Sequence, residues 1–202
     1  MGLDITVLAL GWGELKRTPA AERDILLYEA ACPDDAPLDA EPEVGWVFPA
    51  SPRVLWSGRY EFHGTLGSYK PHFWAANGWD TARRYADPAL REPLDAFLHG
   101  LIWWGEDLED EDDDPEPGVF ASDPTPWRPH GLVVPPRTVP ALAAHWTRAE
   151  PLLDGLGEAY DRHAARDGWI RDFDEFAALV REWAVVVAET GRRGWGLIGL
   201  TG

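Results

Sequence analysis

The sequence predicts an α+β fold: a small, mainly antiparallel sheet that includes the N- and C-terminal strands and is packed by C-terminal helices. Apolar, strand-like segments lie near both ends of the 202-residue chain, at residues 3–10 and 194–200. Between residues 138 and 190, apolar positions recur with helical spacing. Twelve tryptophans and a hydrophobic content of 45% can build a core without disulfides or metals. We therefore expect a single domain over residues 1–202, with an acidic, proline-rich exposed loop or insertion at 105–137.

The N-terminal half is expected to combine strands with helices. Residues 3–10 are rich in β-branched and apolar side chains and end at a Gly-Trp-Gly turn, which favours a strand. Thr18 and Pro19 are typical of a helix start, and that helix should continue to about residue 31. Residues 45–48 and 53–62 are predicted strands.

The centre of the chain is expected to be a turn-rich loop followed by helices. Residues 64–71 contain two glycines, a serine and a proline, which indicates a loop. A helix over 72–85 should be interrupted at Asn77-Gly78, and Asp87-Pro88 should begin another helix that Pro93 restarts. Residues 101–104 fit either a helical end or a short strand.

The C-terminal part should be extended first and helical afterwards. Seven prolines between residues 115 and 137 remove backbone donors and leave room for one short strand at 131–134. Two helices are predicted at 138–146 and 151–166. A third covers 172–190, with Asp172 as N-cap, Glu175 in capping-box position and Gly191 as the terminating residue.

An acidic run dominates the charge of the chain. Nine of the eleven residues from 106 to 116 are acidic, and the whole chain carries a net charge of −17. So many carboxylates cannot be buried, and the acidity argues against nucleic-acid partners and anionic membranes. It is compatible with a merely solvated charge run. The alternative is a patch that attracts a basic protein partner, through Asp110, Glu111, Asp112, Asp113 and Asp114.

Composition also bounds the compartment and the cofactors. Cys32 is the single cysteine, so no internal disulfide is possible. The N-terminus has no basic and apolar targeting segment, and no apolar run reaches membrane-spanning length. We expect a cytoplasmic protein without a cofactor or a bound metal. The Gly-rich sequence at 194–199 is not followed by a helix, which excludes a dinucleotide-binding fingerprint.

Two small groups of residues are candidates for a site. His63 and His72 flank the loop at 64–71 and, with Asp80, could form an acid–base or metal cluster. The alternative is that the histidines are unrelated core or surface residues. A second candidate is a ligand pocket lined by aromatic residues, namely Trp56, Tyr69 and Trp74.

Two motifs resemble an uncharacterised family of bacterial and phage-borne proteins. The opening Met1-Gly2-Leu3-Asp4-Ile5-Thr6 is similar to the start of family members, and residues 62–69, FHGTLGSY, are similar to their central Gly-Ser-Tyr motif. The aromatic amphipathic helix and short Gly-rich strand at the C-terminus are also similar. The chain departs from the family pattern at Lys70-Pro71-His72-Phe73 and in the insertion at 105–137. The resemblance implies no activity and no functional residues.

The sequence therefore supports two hypotheses of different kinds. The first is a non-enzymatic protein-binding module of the immunity or antitoxin type, favoured by the acidity, the many tryptophans and the lack of a catalytic signature. The second is a small hydrolase or transferase with a site at the Gly64–His72 loop.

Overall fold

A five-stranded antiparallel sheet lies at the centre of the molecule, with the N- and C-terminal strands side by side. This architecture comes from a computed structural model that describes residues 4–32, 44–65, 67–103, 105, 118–125, 130–166 and 168–201. The strands are β1 (Ile5–Leu10), β2 (Gly45–Val47), β3 (Ser57–Glu61), β4 (His130–Val134) and β5 (Gly196–Thr201). Their order is β2-β3-β1-β5-β4, and every neighbouring pair is antiparallel. The predicted α+β class and the shared terminal strands are confirmed.

Helices cover both faces of the sheet. The structure describes seven α-helices: α1 (Trp12–Arg17), α2 (Ala20–Ala31), α3 (Lys70–Ala82), α4 (Pro88–Leu98), α5 (Val139–Leu153), α6 (Gly157–His163) and α7 (Phe173–Arg193). Alternation along β1 directs Val7 and Ala9 toward the larger core, which α3 to α7 complete. Leu8 and Leu10 point to the opposite face and pack with α1 and α2. The C-terminal helices pack on the sheet as predicted.

Residues 118–125 are tied to the α1–α2 face by a buried arginine. The Arg23 guanidinium pairs with the Asp123 carboxylate, and both side chains are almost fully buried. Arg23 also donates to the carbonyl oxygens of Leu15, Lys16 and Thr18 at 3.0 Å, which satisfies acceptors at the end of α1. Residues 118–125 and the edge strand β4 both belong to the region 105–137. Within that region, residues 106–117 and 126–129 lie outside the described part.

Helix boundaries follow the capping signals at several positions. The Asp87 side chain accepts a hydrogen bond from the Ala89 N–H at 2.8 Å at the start of α4. Asp172 accepts from the Glu175 N–H at 3.0 Å at the start of α7. The predicted end of α7 was wrong: the helix continues past Gly191, and Gly194 is the left-handed residue with φ 65°.

Three other local predictions were also wrong. α3 runs without a break through Asn77-Gly78, because Gly78 lies inside the helix against α6. α5 continues through Pro151 to Leu153, beyond its predicted end. The strand predicted over 53–62 is limited to β3, because residues 51–57 form consecutive turns in which Val54 N–H donates to Ser51 O and Ser57 N–H to Val54 O.

No helix in the described part of the chain is both long enough and apolar enough to span a membrane.

Candidate functional site

The site is an open cleft between the turn that follows β3 and the first half of α7. Its volume is about 200 Å³. The turn contributes three residues, α3 contributes one, and the loop before α7 and α7 itself contribute the rest. The lining residues are His63, Gly64, Thr65, Pro71, Trp169, Ile170, Glu175, Ala178, Leu179 and Glu182.

The Glu182 carboxylate is a largely buried polar group of this cleft and accepts hydrogen bonds from two residues. Its Oε1 accepts from the Tyr60 hydroxyl at 3.3 Å, and both its oxygens accept from the His63 backbone N–H at 3.2 Å. Its side chain is only 17% exposed. Burial, reinforced by the nearby Glu182 charge, raises the pKa of Tyr60, so this hydroxyl remains a donor to the carboxylate. β3 and α7 therefore fix one acidic group at the cleft.

His63 is the second polar group and forms a pair with Glu182. Its Nδ1 lies 2.8 Å from Glu182 Oε1, and its side chain is 76% exposed. Because a carboxylate accepts the hydrogen bond, the imidazole has a proton on Nδ1. The imidazole is thus oriented by a carboxylate, and its ring is open to solvent.

A second acidic group, Glu175, lines the cleft but has a cationic partner. Its carboxylate accepts from the Arg171 N–H at 2.7 Å and from Arg171 Nε at 2.9 Å. The side-chain hydrogen bonds from Arg171 lower the pKa of Glu175, which keeps it ionised. Beside it, Trp169 is 42% exposed. The cleft therefore combines carboxylates with an accessible indole.

His72 lies apart from the cleft, in the larger core. It is fully buried, and its Nδ1 accepts from Trp183 Nε1 at 3.2 Å. Its ring packs against the ring of Phe62, and the two ring centroids are 4.8 Å apart. Burial lowers the pKa of His72 from 6.5 to about 3, so the ring is neutral at physiological pH. Its remaining proton is on Nε2, which has no hydrogen-bond partner among the described residues.

Asp80, the third member of the predicted cluster, is placed elsewhere. It is an exposed residue near the end of α3, and its Oδ1 accepts from Trp103 Nε1 at 3.4 Å. Of the three candidate catalytic residues, only His63 lines the cleft. No group of three or more His, Cys, Asp or Glu side chains in the described residues could bind a metal ion.

The three aromatic candidates do not form one pocket. Trp56 packs on the α1–α2 face of the sheet, where its backbone oxygen accepts from the Gly11 N–H at 2.8 Å. Tyr69 and Trp74 pack against the core on the opposite face. Tyr69 stacks on His72 with ring centroids 6.3 Å apart, and burial raises the Tyr69 pKa. The indole of Trp74 lies close to Gly168, just before Trp169.

Sequence reasoning missed Glu182 and Trp169. Glu182 is 119 positions from His63 and lies within a helix whose spacing indicates only its apolar face. Trp169 was one of twelve tryptophans, and nothing in its neighbours distinguishes it. The single sequence signal for the cleft was the loop at 64–71 with its preceding histidine.

Charge is distributed very unevenly along the sequence. Nine of the eleven residues from 106 to 116 are acidic, and the rest of the chain carries −8 of the net charge of −17. The predicted partner-binding residues, Asp110 to Asp114, lie outside the described part.

No family model, no curated protein and no solved structure matches the chain. The resemblance of its opening and central motifs to an uncharacterised family stays a prediction, and the function must be argued from the site and the charge.

Proposed function

We propose that this chain is a non-enzymatic protein-binding module of the immunity or antitoxin type that acts in the cytoplasm on a basic protein partner. The single cysteine, which cannot form an internal disulfide, supports the compartment. The anionic character disfavours nucleic acids as partners.

The uneven distribution of charge is the observation that carries this proposal. Nine of the eleven residues from 106 to 116 are acidic, whereas the rest of the chain carries only −8 of the net charge of −17. Charge concentrated in this way attracts an oppositely charged partner over about one Debye length and increases the rate of encounter. Solubility alone would not require the charge to be concentrated in one run.

The test replaces Asp110, Glu111, Asp112, Asp113 and Asp114 by their amides. The probe is an octa-lysine peptide, and stopped-flow fluorescence measures its association rate constant. At about 0.01 M ionic strength, where the Debye length is about 30 Å, we expect the rate constant to fall roughly three- to tenfold. At about 1 M the two proteins should behave alike, because the Debye length is then about 3 Å.

A matched control removes the same number of charges from exposed positions on the helices. Five exposed carboxylates are replaced by amides in this control: Glu22, Glu92, Glu150, Glu158 and Asp174. The control should reduce the rate constant less than the variant in the run. Equal rates for all three proteins at low salt would remove the steering role of the run.

A second candidate function is a hydrolase or transferase with its site at the Gly64–His72 loop. The 2.8 Å contact between His63 Nδ1 and Glu182 favours it, because a base oriented by a carboxylate is a common catalytic arrangement. Thr65, the hydroxyl residue of the cleft, is buried and donates to Phe62 O at 3.1 Å. A hydrolase would therefore use water activated by His63 as the nucleophile, and a transferase would use its acceptor substrate in the same way.

Hydrolysis of p-nitrophenyl acetate and of bis(p-nitrophenyl) phosphate tests this second candidate. An enzyme of this kind would lose its activity in His63→Ala and keep it in His99→Ala, which changes an exposed histidine outside the cleft. If the protein has no activity, or if both variants are equally active, the enzyme hypothesis is contradicted. The binding module then stays as the proposed function.

A further inference from the structure

We infer that the cleft between the β3–α3 turn and α7 receives one arginine side chain of the partner. This inference rests on the proposed function and assigns it a docking point separate from the acidic run. The argument uses the polar lining, the exposed indole, and the size and rim of the cleft.

Hydrogen-bond acceptors line the cleft. The ten lining residues include two glutamates and a histidine but no lysine and no arginine. Arg171 compensates the charge of Glu175, whereas Glu182 is hydrogen-bonded to Tyr60 and His63. A carboxylate without an arginine or lysine partner among the described residues is complementary to a cationic donor.

Glu182 is oriented before any ligand arrives. The His63 backbone, the His63 ring and the Tyr60 hydroxyl fix its carboxylate with contacts of 2.8 to 3.3 Å. A carboxylate already fixed by its neighbours loses little conformational entropy on binding. The planar guanidinium, with its fork of five donors, matches the geometry of a carboxylate.

Trp169 provides the apolar wall that a guanidinium prefers. Its indole lines the cleft and is 42% exposed. Tryptophan is the aromatic residue with the strongest cation–π attraction, and arginine is its commonest partner in proteins. The chain already uses this contact elsewhere, since the Arg83 guanidinium carbon lies 4.8 Å from the Trp103 ring centroid.

The size and rim of the cleft suit one side chain presented by a protein. A volume of about 200 Å³ equals that of roughly seven waters at about 30 Å³ each. Trp169, which is 42% exposed, belongs to the rim of the cleft. An exposed aromatic residue at a cleft is typical of protein interfaces, where such residues exclude water around the central contact.

Titration with three acetylated tripeptide amides tests the assignment. They are Gly-Arg-Gly, its lysine analogue, and its citrulline analogue, which is close to arginine in shape but has no charge. Two-dimensional ¹H–¹⁵N NMR follows the backbone amides of residues 63–65 and 169–182 and the Trp169 indole N–H. The arginine peptide should shift these resonances and bind more tightly than the other two.

Single substitutions then identify the groups responsible. Glu182→Gln should weaken binding of the arginine peptide by roughly tenfold, because it removes the charge and keeps the shape. Trp169→Ala changes a half-exposed side chain and should weaken it as well, without unfolding the protein. Glu92→Gln is the matched control, since it removes an exposed charge outside the cleft and should leave the affinity unchanged. Circular dichroism verifies that each variant is folded.

Several results would overturn the inference. Citrulline or lysine peptides that bind as tightly as the arginine peptide would exclude an arginine site. Unchanged affinity in folded Glu182→Gln would exclude the carboxylate. Shifts that avoid the cleft and disappear in the five-amide variant of the acidic run would refute the cleft while leaving the proposed function intact.

Discussion

At the residue scale, burial determines what each histidine can do. His63 and His72 are nine positions apart, yet the first is largely exposed and the second is fully buried. The neutral His72 accepts from Trp183 and cannot share a proton with His63 or its carboxylate. Its role in the structure is to satisfy a buried indole N–H, which would otherwise cost free energy.

The buried His72 should make stability depend on pH. Its pKa is about 3 in the folded protein and 6.5 in the reference state, so the unfolded chain binds this proton first as the pH falls. The contribution is complete above pH 6.5 and is lost progressively toward pH 3. We expect the free energy of unfolding to decrease by on the order of 4 kcal/mol across this window.

Urea denaturation followed by tryptophan fluorescence at a series of pH values measures this dependence. His72→Gln keeps a hydrogen-bond acceptor but cannot titrate, so its stability should depend less steeply on pH than that of the wild type. The same substitution at the exposed His99 controls for the loss of an imidazole. A slope unchanged in His72→Gln would show that His72 is not the group responsible.

At the element scale, the structural roles of one glycine and one proline could not be predicted from the sequence. Asn77-Gly78 reads as a helix break, but Gly78 allows α3 to approach α6. A Cβ atom there would lie 2.0 Å from the Tyr160 hydroxyl and 2.9 Å from its Cζ. Pro151 also lies inside a helix, α5, and does not end it. Capping by Asp87 and Asp172 was predictable, because a cap depends on residues three positions apart at most.

Gly78→Ala should therefore destabilise the protein although alanine favours helices. Overpacking against Tyr160 should cost about 1–3 kcal/mol. Gly13→Ala in α1 is the matched control, because no atom lies within 4 Å of the added Cβ. That substitution should stabilise the fold by up to about 1 kcal/mol. Urea midpoints of the two variants that shift in the same direction would contradict this account of α3 and α6.

At the scale of the whole molecule, the net charge is concentrated in one short run of the sequence. Residues 106–116 include nine carboxylates, whereas the rest of the chain carries −8 of the −17. Self-repulsion among like charges opposes compaction, so the native state carries a cost for this acidity. That cost is consistent with a role of these carboxylates in binding a basic partner.

Replacing Asp110, Glu111, Asp112, Asp113 and Asp114 by amides should leave the folded state intact. The net charge would change from −17 to −12, which reduces self-repulsion. At low salt we expect the free energy of unfolding to stay within about 0.5 kcal/mol or to increase. Thermal and urea unfolding measure it. A loss of about 3 kcal/mol or more would mean that these carboxylates are paired within the folded protein.

The sequence by itself determined the α+β class, the presence of strands near both termini, β4 and the caps of α4 and α7. These elements depend on local periodicity and on contacts between residues close in the chain. That β1 and β5 are direct neighbours was decided by the tertiary structure. Only the tertiary structure decided which histidine is accessible, that Glu182 meets His63 across 119 positions, and that Trp169 lines their cleft. Such contacts depend on how helices pack across the sheet, and no spacing along a single sequence records that packing.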